Sequence, residues 1–116
     1  MTTQSNLYID QGTEYRLVID IPTDYENEDF FDTLEFYAAA SKLYSSSIAI
    51  EAEMTKILPT EENPKYGVEM HISADDTIDL APGKYVYDVI QHDTATGDTK
   101  KILEGLIFIL QTITRI

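Results

Sequence analysis

Apolar and polar residues alternate along most of this chain, with a dominant period of two residues. The first such segment runs from Thr13 to Ile21, and Pro22 follows it. The same alternation recurs in four later segments, at residues 48–57, 66–72, 84–92 and from 100 towards 114. A period of two is typical of a strand with one buried face, so each segment predicts such a strand.

The alternation also predicts which side chains form the core. The residues expected to face inward are Tyr15, Leu17, Ile19, Ile50, Val68, Met70, Tyr85, Tyr87 and Val89. On the second alternating segment, Ile48, Ala52 and Met54 are expected on the same side as Ile50.

Two segments carry mixed signals. The alanines of Leu34–Ala40 favour a helix, but its alternation and its strand neighbours predict a strand. Ser73–Leu80 predicts one short helical turn capped by Ser73.

The connections are rich in polar and acidic residues. The acidic segment Asp24–Asp32 predicts a loop anchored by Phe30 and Phe31. Asp93–Asp98 predicts a hairpin loop in which Gly97 supplies a positive φ. Ser45–Ser47 is typical of a turn.

Six or seven strands at roughly ten-residue spacing predict an all-β fold, an antiparallel sandwich or barrel. The length of 116 residues suits one domain, so residues 1–116 are taken as one unit, with residues 1–9 as a candidate N-terminal arm.

The chain is strongly acidic: 21 Asp and Glu face 8 Lys and Arg, which gives a net charge of −13. Nucleic acid is excluded as an expected partner because its phosphates need Lys and Arg, and an anionic membrane is disfavoured for the same reason. The charge serves either solubility or docking to a basic partner or a cation.

The sequence shows no pattern typical of a catalytic, cofactor or metal site. It has no cysteine, and His71 and His92 lie on different predicted strands. The acidic segments Asp24–Asp32 and Asp75–Asp79 do not follow the calcium-loop spacing, although they are where a cation would bind if one did. We therefore expect no enzyme activity, no cofactor and no metal.

Leu106, Ile107, Phe108, Ile109 and Leu110 form an apolar run, which puts apolar side chains on both faces of one strand. The run is predicted to form an interface with another copy or another protein. The alternative is that the N-terminal arm, with Leu7, Tyr8 and Ile9, folds over it.

The stretch Leu80–Tyr87 resembles the corner that precedes a strand in Ig-like sandwiches, where a tyrosine hydroxyl bonds to upstream backbone. Asp79 and Tyr85 fit that layout, and Tyr87 faces inward. A structural role for Tyr85 is therefore expected rather than ligand binding.

Four segments in order resemble small virion structural proteins of tailed bacteriophages, related to Ig-like N-terminal domains of baseplate proteins. They are Asp10–Thr13, Lys42–Ser47, Pro82–Val89 and Lys101–Gly105 with the strand that ends at Arg115, and together they span roughly residues 10–115. The chain departs from that pattern by the acidic insertion Asp24–Asp32 and by Gln111, where a proline is usual.

The resemblance implies an Ig-like antiparallel β-sandwich of about seven strands and a non-enzymatic role in a virion assembled in the host cytoplasm. It implies a tail, baseplate or neck subunit or adaptor whose partners are other virion proteins, in a homo-oligomer or larger assembly. Capsid decoration, or an adhesive glycan-binding domain, is the alternative.

Overall fold

The structure, a computed structural model, describes residues 3–21, 29–42 and 47–114. In these ranges the chain is mostly strand with almost no helix, and the all-β prediction is confirmed. The strands are β1 (Thr3–Gln4), β2 (Leu7–Asp10), β3 (Tyr15–Asp20), β4 (Leu34–Ser41), β5 (Ile48–Ile57), β6 (Gly67–Ile72), β7 (Gly83–Asp93) and β8 (Thr99–Leu110). Two helical turns, α1 (Asp29–Asp32) and α2 (Ala74–Thr77), join them.

The strands form one curled, mixed sheet in the order β1-β8-β7-β4-β5-β6-β3, and β2 also pairs with β8. β1 and β2 run parallel to β8, whereas the other pairs are antiparallel. The expectation of a purely antiparallel arrangement is therefore wrong. β1 and β2 lie about 100 residues before β8, so no hairpin joins them to it, and they pair with it in parallel.

The sheet curls at β5. Residues 48–52 of β5 pair with β4, and residues 53–57 pair with β6. Because β5 pairs with β4 in its first half and with β6 in its second, the two parts of the sheet turn their apolar faces towards each other and enclose the core. That core contains Leu7, Ile9, Ala38, Ala40, Ile50, Met70, Ile72, Tyr85, Tyr87, Val89, Leu103, Ile107 and Ile109, and a second cluster contains Ile21, Phe31, Leu34, Phe36 and Val68.

Most of the predicted core is confirmed. Ile50, Val68, Met70, Tyr85, Tyr87 and Val89 are buried. Tyr15, Leu17 and Ile19 pack against the core but stay half-buried. They lie on β3, which is the last strand in the sheet order and has a neighbour on one side only.

Ile48 does not face inward as expected, since 60% of it is exposed. The register shifts between Ala40 and Ser41, so that Ile50 pairs with Ala40 and Ile48 pairs with Ser41. This bulge changes the phase of the alternation at the start of β5.

The ambiguous segment Leu34–Ala40 is a strand, as predicted, and Ser73 caps the predicted helical turn. Gly97 has φ 81° in the hairpin. The last strand ends at Leu110 and does not continue towards Thr114.

The predicted acidic loop contains the turn α1, whose Phe31 is buried as expected. Residues 24–28 of that predicted loop and residues 45 and 46 of the predicted serine turn lie outside the described residues.

Candidate interaction surface on the outer face of β8

The predicted five-residue interface divides between the two faces of β8. Ile107 and Ile109 are 1% and 2% exposed and belong to the core. Leu106 and Phe108 are half-buried, and Leu110 is 45% exposed, on the opposite face. Only the second set is therefore placed to meet a partner.

Neighbouring strands extend that second set sideways. Tyr8 pairs with Phe108 in the parallel ladder, and the two rings stack with centroids 5.0 Å apart and an interplanar angle of 11°. Val86 on β7 pairs with Leu106, and directly paired residues share one face of a sheet. We call the set formed by Tyr8, Val86, Leu106, Phe108 and Leu110 the outer apolar surface.

The described part of the N-terminal arm, residues 3–9, lies beside β8 and does not fold over it. β2 pairs edge to edge with β8, so Leu7 and Ile9 enter the core while Tyr8 joins the outer apolar surface. The arm thus enlarges this surface instead of covering it.

The approach of the arm to β8 depends on Gly105. A Cβ at this position would lie 2.0 Å from the carbonyl oxygen of Ser5, so no larger residue fits without moving the arm. On the same inner face, the Tyr87 hydroxyl donates a hydrogen bond to that Ser5 oxygen at 2.7 Å. Burial raises the pKa of Tyr87 to about 12.

Charged side chains lie around the outer apolar surface. Lys84 pairs with Phe108 in the ladder, and Asp10 pairs with Leu110. Further along β8, the Lys101 ammonium lies 3.1 Å from the Glu104 carboxylate. An apolar centre with a charged border is the usual anatomy of a protein–protein interface.

Tyr85 has the structural role that the sequence predicts. Its hydroxyl donates to the Ala81 carbonyl at 2.7 Å, which fixes the corner before β7. The Lys42 ammonium lies 4.7 Å from the centre of the Tyr85 ring, within the range of a cation–π contact.

Across residues 3–21, 29–42 and 47–114, no group of three or more His, Asp or Glu side chains is arranged to hold a metal ion. His71 lies on β6 and His92 on β7. The His71 Nε2 lies 2.8 Å from Glu14, and its Nδ1 lies 3.6 Å from Glu53. The hydrogen bond with His71 lowers the pKa of Glu14.

In the acidic segment Asp75–Asp79, Asp76 caps the helical turn α2. The Asp76 carboxylate accepts a hydrogen bond from the Ser73 backbone N–H at 2.8 Å, and the Ser73 hydroxyl accepts one from the Asp76 N–H. These two bonds form a capping box for α2, which accounts for an acid at this position without a cation.

Sequence reasoning missed Tyr8 and Val86 as members of the outer apolar surface. Val86 is the apolar residue out of phase with Tyr85 and Tyr87 on β7, which is a signal available in the sequence. Tyr8 carries no such signal, because its position depends on the pairing of two strands about 100 residues apart.

Comparison of the sequence with protein-family models and with curated proteins finds no match. Neither described helix is long and apolar enough to cross a membrane.

Proposed function

We propose that this chain is a non-enzymatic structural protein of a tailed-bacteriophage virion, a tail, baseplate or neck subunit or adaptor. It binds a neighbouring virion protein through the outer apolar surface. The observation that carries the proposal is Tyr8, which is 62% exposed and stacks on the half-buried Phe108, next to Leu110, which is 45% exposed. The virion location is supported by the sequence resemblance over roughly residues 10–115.

The finer fold class proposed with this function is an Ig-like β-sandwich. With β2 to β8 lettered A to G, the neighbours β3, β6 and β5 correspond to strands B, E and D, and β4, β7 and β8 correspond to C, F and G. The Tyr85 hydrogen bond at the start of β7 supports the same class, since it matches a tyrosine corner. β2 departs from the seven-strand pattern because it pairs with β8 and not with β3.

Burial of the outer apolar surface supplies the binding energy. Burying a large apolar side chain contributes about 1.5–3 kcal/mol when it starts fully exposed. Tyr8 is 62% exposed and Leu110 is 45% exposed, so these two side chains have the most area left to bury. Phe108 and Leu106 are half-buried already and contribute less each.

The charge of the chain favours a different protein over a second copy as the partner. Two copies with a net charge of −13 each repel one another, whereas a neutral or basic partner is not repelled. A homo-oligomer in solution would count against this choice of partner.

The test combines mass spectrometry of purified virions with a pair of matched variants. Tyr8→Ser with Leu110→Ser should lower incorporation into particles about tenfold or more, because both changes remove exposed apolar area from the surface. Val18→Ser with Ile48→Ser is the matched control, since those side chains are 52% and 60% exposed on other strands.

Circular dichroism should show that both variants keep their β content. If the protein is missing from virions whose genome encodes it, the virion role is wrong. If the control variant loses incorporation as strongly as the surface variant, the outer apolar surface is not the contact.

A further inference from the structure

A cleft opens between β4 and β5 where the sheet divides. β4 pairs with β7 along its whole length, but it pairs with β5 only across Ala38–Ser41. Residues 53–57 of β5 pair with β6 instead. Within the described chain, therefore, residues 34–37 of β4 and residues 53–57 of β5 each have one edge without a strand partner, and these two edges border the cleft.

The cleft has a volume of about 260 Å³ and is lined by Glu35, Phe36, Tyr37, Met54, Lys56 and Val68. An unpaired strand edge presents alternate N–H and C=O groups at the spacing of an extended chain. A segment in the β conformation satisfies this row of groups, whereas a helix cannot, because its own backbone groups are already paired.

The side chains around the cleft define the chemistry of such a segment. Phe36, Met54 and Val68 form an apolar floor, and Phe36 and Val68 belong to the second core cluster. An added strand that alternates must therefore place an apolar side chain beside Phe36.

The outer side of the same edge is acidic. Glu35 and Tyr37 are exposed there, and the Tyr37 hydroxyl donates a hydrogen bond to the Glu35 carboxylate. Opposite charges on directly paired strands stabilise a sheet, so a Lys or Arg is favoured beside Glu35. The net charge of −13 also attracts a basic segment over longer distances.

Among the described residues that line the cleft, the one cation is Lys56, and it already has a partner. The Lys56 ammonium donates to the Phe31 carbonyl at 2.9 Å and lies 5.4 Å from the centre of the Phe31 ring. Both contacts join Lys56 to Phe31, which belongs to α1.

We propose that this cleft accepts one extended segment of another protein, which adds as a strand beside residues 34–37 of β4. The segment alternates Lys or Arg, on the outer side with Glu35, with apolar side chains that contact Phe36 and Met54. This acceptor site lies apart from the outer apolar surface and goes beyond the proposed function.

The test uses ¹⁵N-labelled protein and the synthetic peptide acetyl-Thr-Lys-Val-Lys-Val-Thr-amide. Amide shifts should move at residues 34–37 and 53–57 as the peptide is added to several millimolar. Methylation of the two lysine and two valine backbone nitrogens should weaken binding about tenfold, because it removes the backbone donors from both edges of the peptide. Equal binding of the methylated peptide, or no shifts in these two segments, overturns the proposal.

A charge exchange tests the role of Glu35. Glu35→Lys should weaken binding of the lysine peptide about fivefold and should strengthen binding of a peptide with Glu in place of Lys. Glu62→Lys, in an exposed loop, is the matched control and should leave the preference unchanged. An equal effect of the two variants would show that only net charge matters and would overturn the placement beside Glu35.

Leu110→Ser separates the two proposals, because it alters the outer apolar surface alone. It should leave peptide binding unchanged, so that each proposal fails independently of the other. Loss of peptide binding in Leu110→Ser would overturn the placement in the cleft.

Discussion

Replacement of Gly105 by alanine should displace the N-terminal segment from β8. The added Cβ would lie 2.0 Å from the Ser5 carbonyl oxygen and 2.8 Å from its carbonyl carbon. Both are backbone atoms, so no change of rotamer relieves the overlap. Gly105 does not have a positive φ, which means that the effect of the substitution is steric and not conformational.

The protein can relieve the overlap between the added Cβ and the Ser5 backbone in two ways, and each has its own cost in free energy. A local backbone shift costs about 1–3 kcal/mol, in the range of an overpacked core. Complete release of the arm exposes Leu7 and Ile9, at about 1.5–3 kcal/mol for each side chain. The shift is the cheaper route, and it also breaks the Tyr87–Ser5 hydrogen bond, which contributes about 1 kcal/mol. We therefore expect Gly105→Ala to lower the free energy of unfolding by about 2–4 kcal/mol.

Urea unfolding followed by circular dichroism measures that loss. Hydrogen exchange locates it: the Ser5 and Gln11 amides, which donate to the Glu104 and Leu110 carbonyls, should exchange faster. Lys100→Ala, an exposed change on the same strand, is the control and should stay within about 0.5 kcal/mol of wild type. A Gly105→Ala protein as stable as this control, with unchanged exchange at Ser5, would refute the reasoning.

Three further changes test local features of the fold. Tyr85→Phe should cost about 1 kcal/mol in urea unfolding, because the bond to the Ala81 carbonyl is lost; a neutral result would mean that the corner is held by other contacts. Ser73→Ala should cost about 1 kcal/mol by removing the cap of α2, and Ser73→Gly should cost less, so an equal loss in both would argue against a capping role. The pKa of Glu14 is lower in the folded protein than its unfolded value near 4.5. The hydrogen bond between Glu14 and His71 therefore stabilises the fold above about pH 4.5, and this contribution is lost as the pH falls through the folded pKa. Glu14→Gln should therefore reduce the pH dependence of stability below pH 4.5, and an unchanged slope would contradict this assignment.

The strands could be predicted because their alternation is local. In Leu34–Ala40 the alanines favour a helix, yet the local alternation correctly predicted the strand β4. The cap at Ser73 and the positive φ of Gly97 are equally local, since each depends on residues within one turn.

The features that the sequence did not predict arise from contacts between distant parts of the chain. The parallel pairing of β2 with β8 joins Leu7 to Ile107, and no local pattern encodes that register. The bulge that exposes Ile48 depends on its partner strand β4, so alternation within β5 alone gave the wrong phase at its start. The splitting of β5 between two neighbours, which opens the cleft, has the same tertiary origin.

β8 shows why apolar residues alone could not indicate which side of the strand faces the core. All five residues from Leu106 to Leu110 are apolar, so hydrophobicity alone cannot tell the core face from the outer face. Gly105 resolves the ambiguity, because a glycine inside a strand marks a close approach of backbone, and it shares its parity with Ile107 and Ile109. The face that contains the glycine is therefore the one that the Ser5 carbonyl approaches. Leu106, Phe108 and Leu110 follow as the outward face, which is where the structure places them.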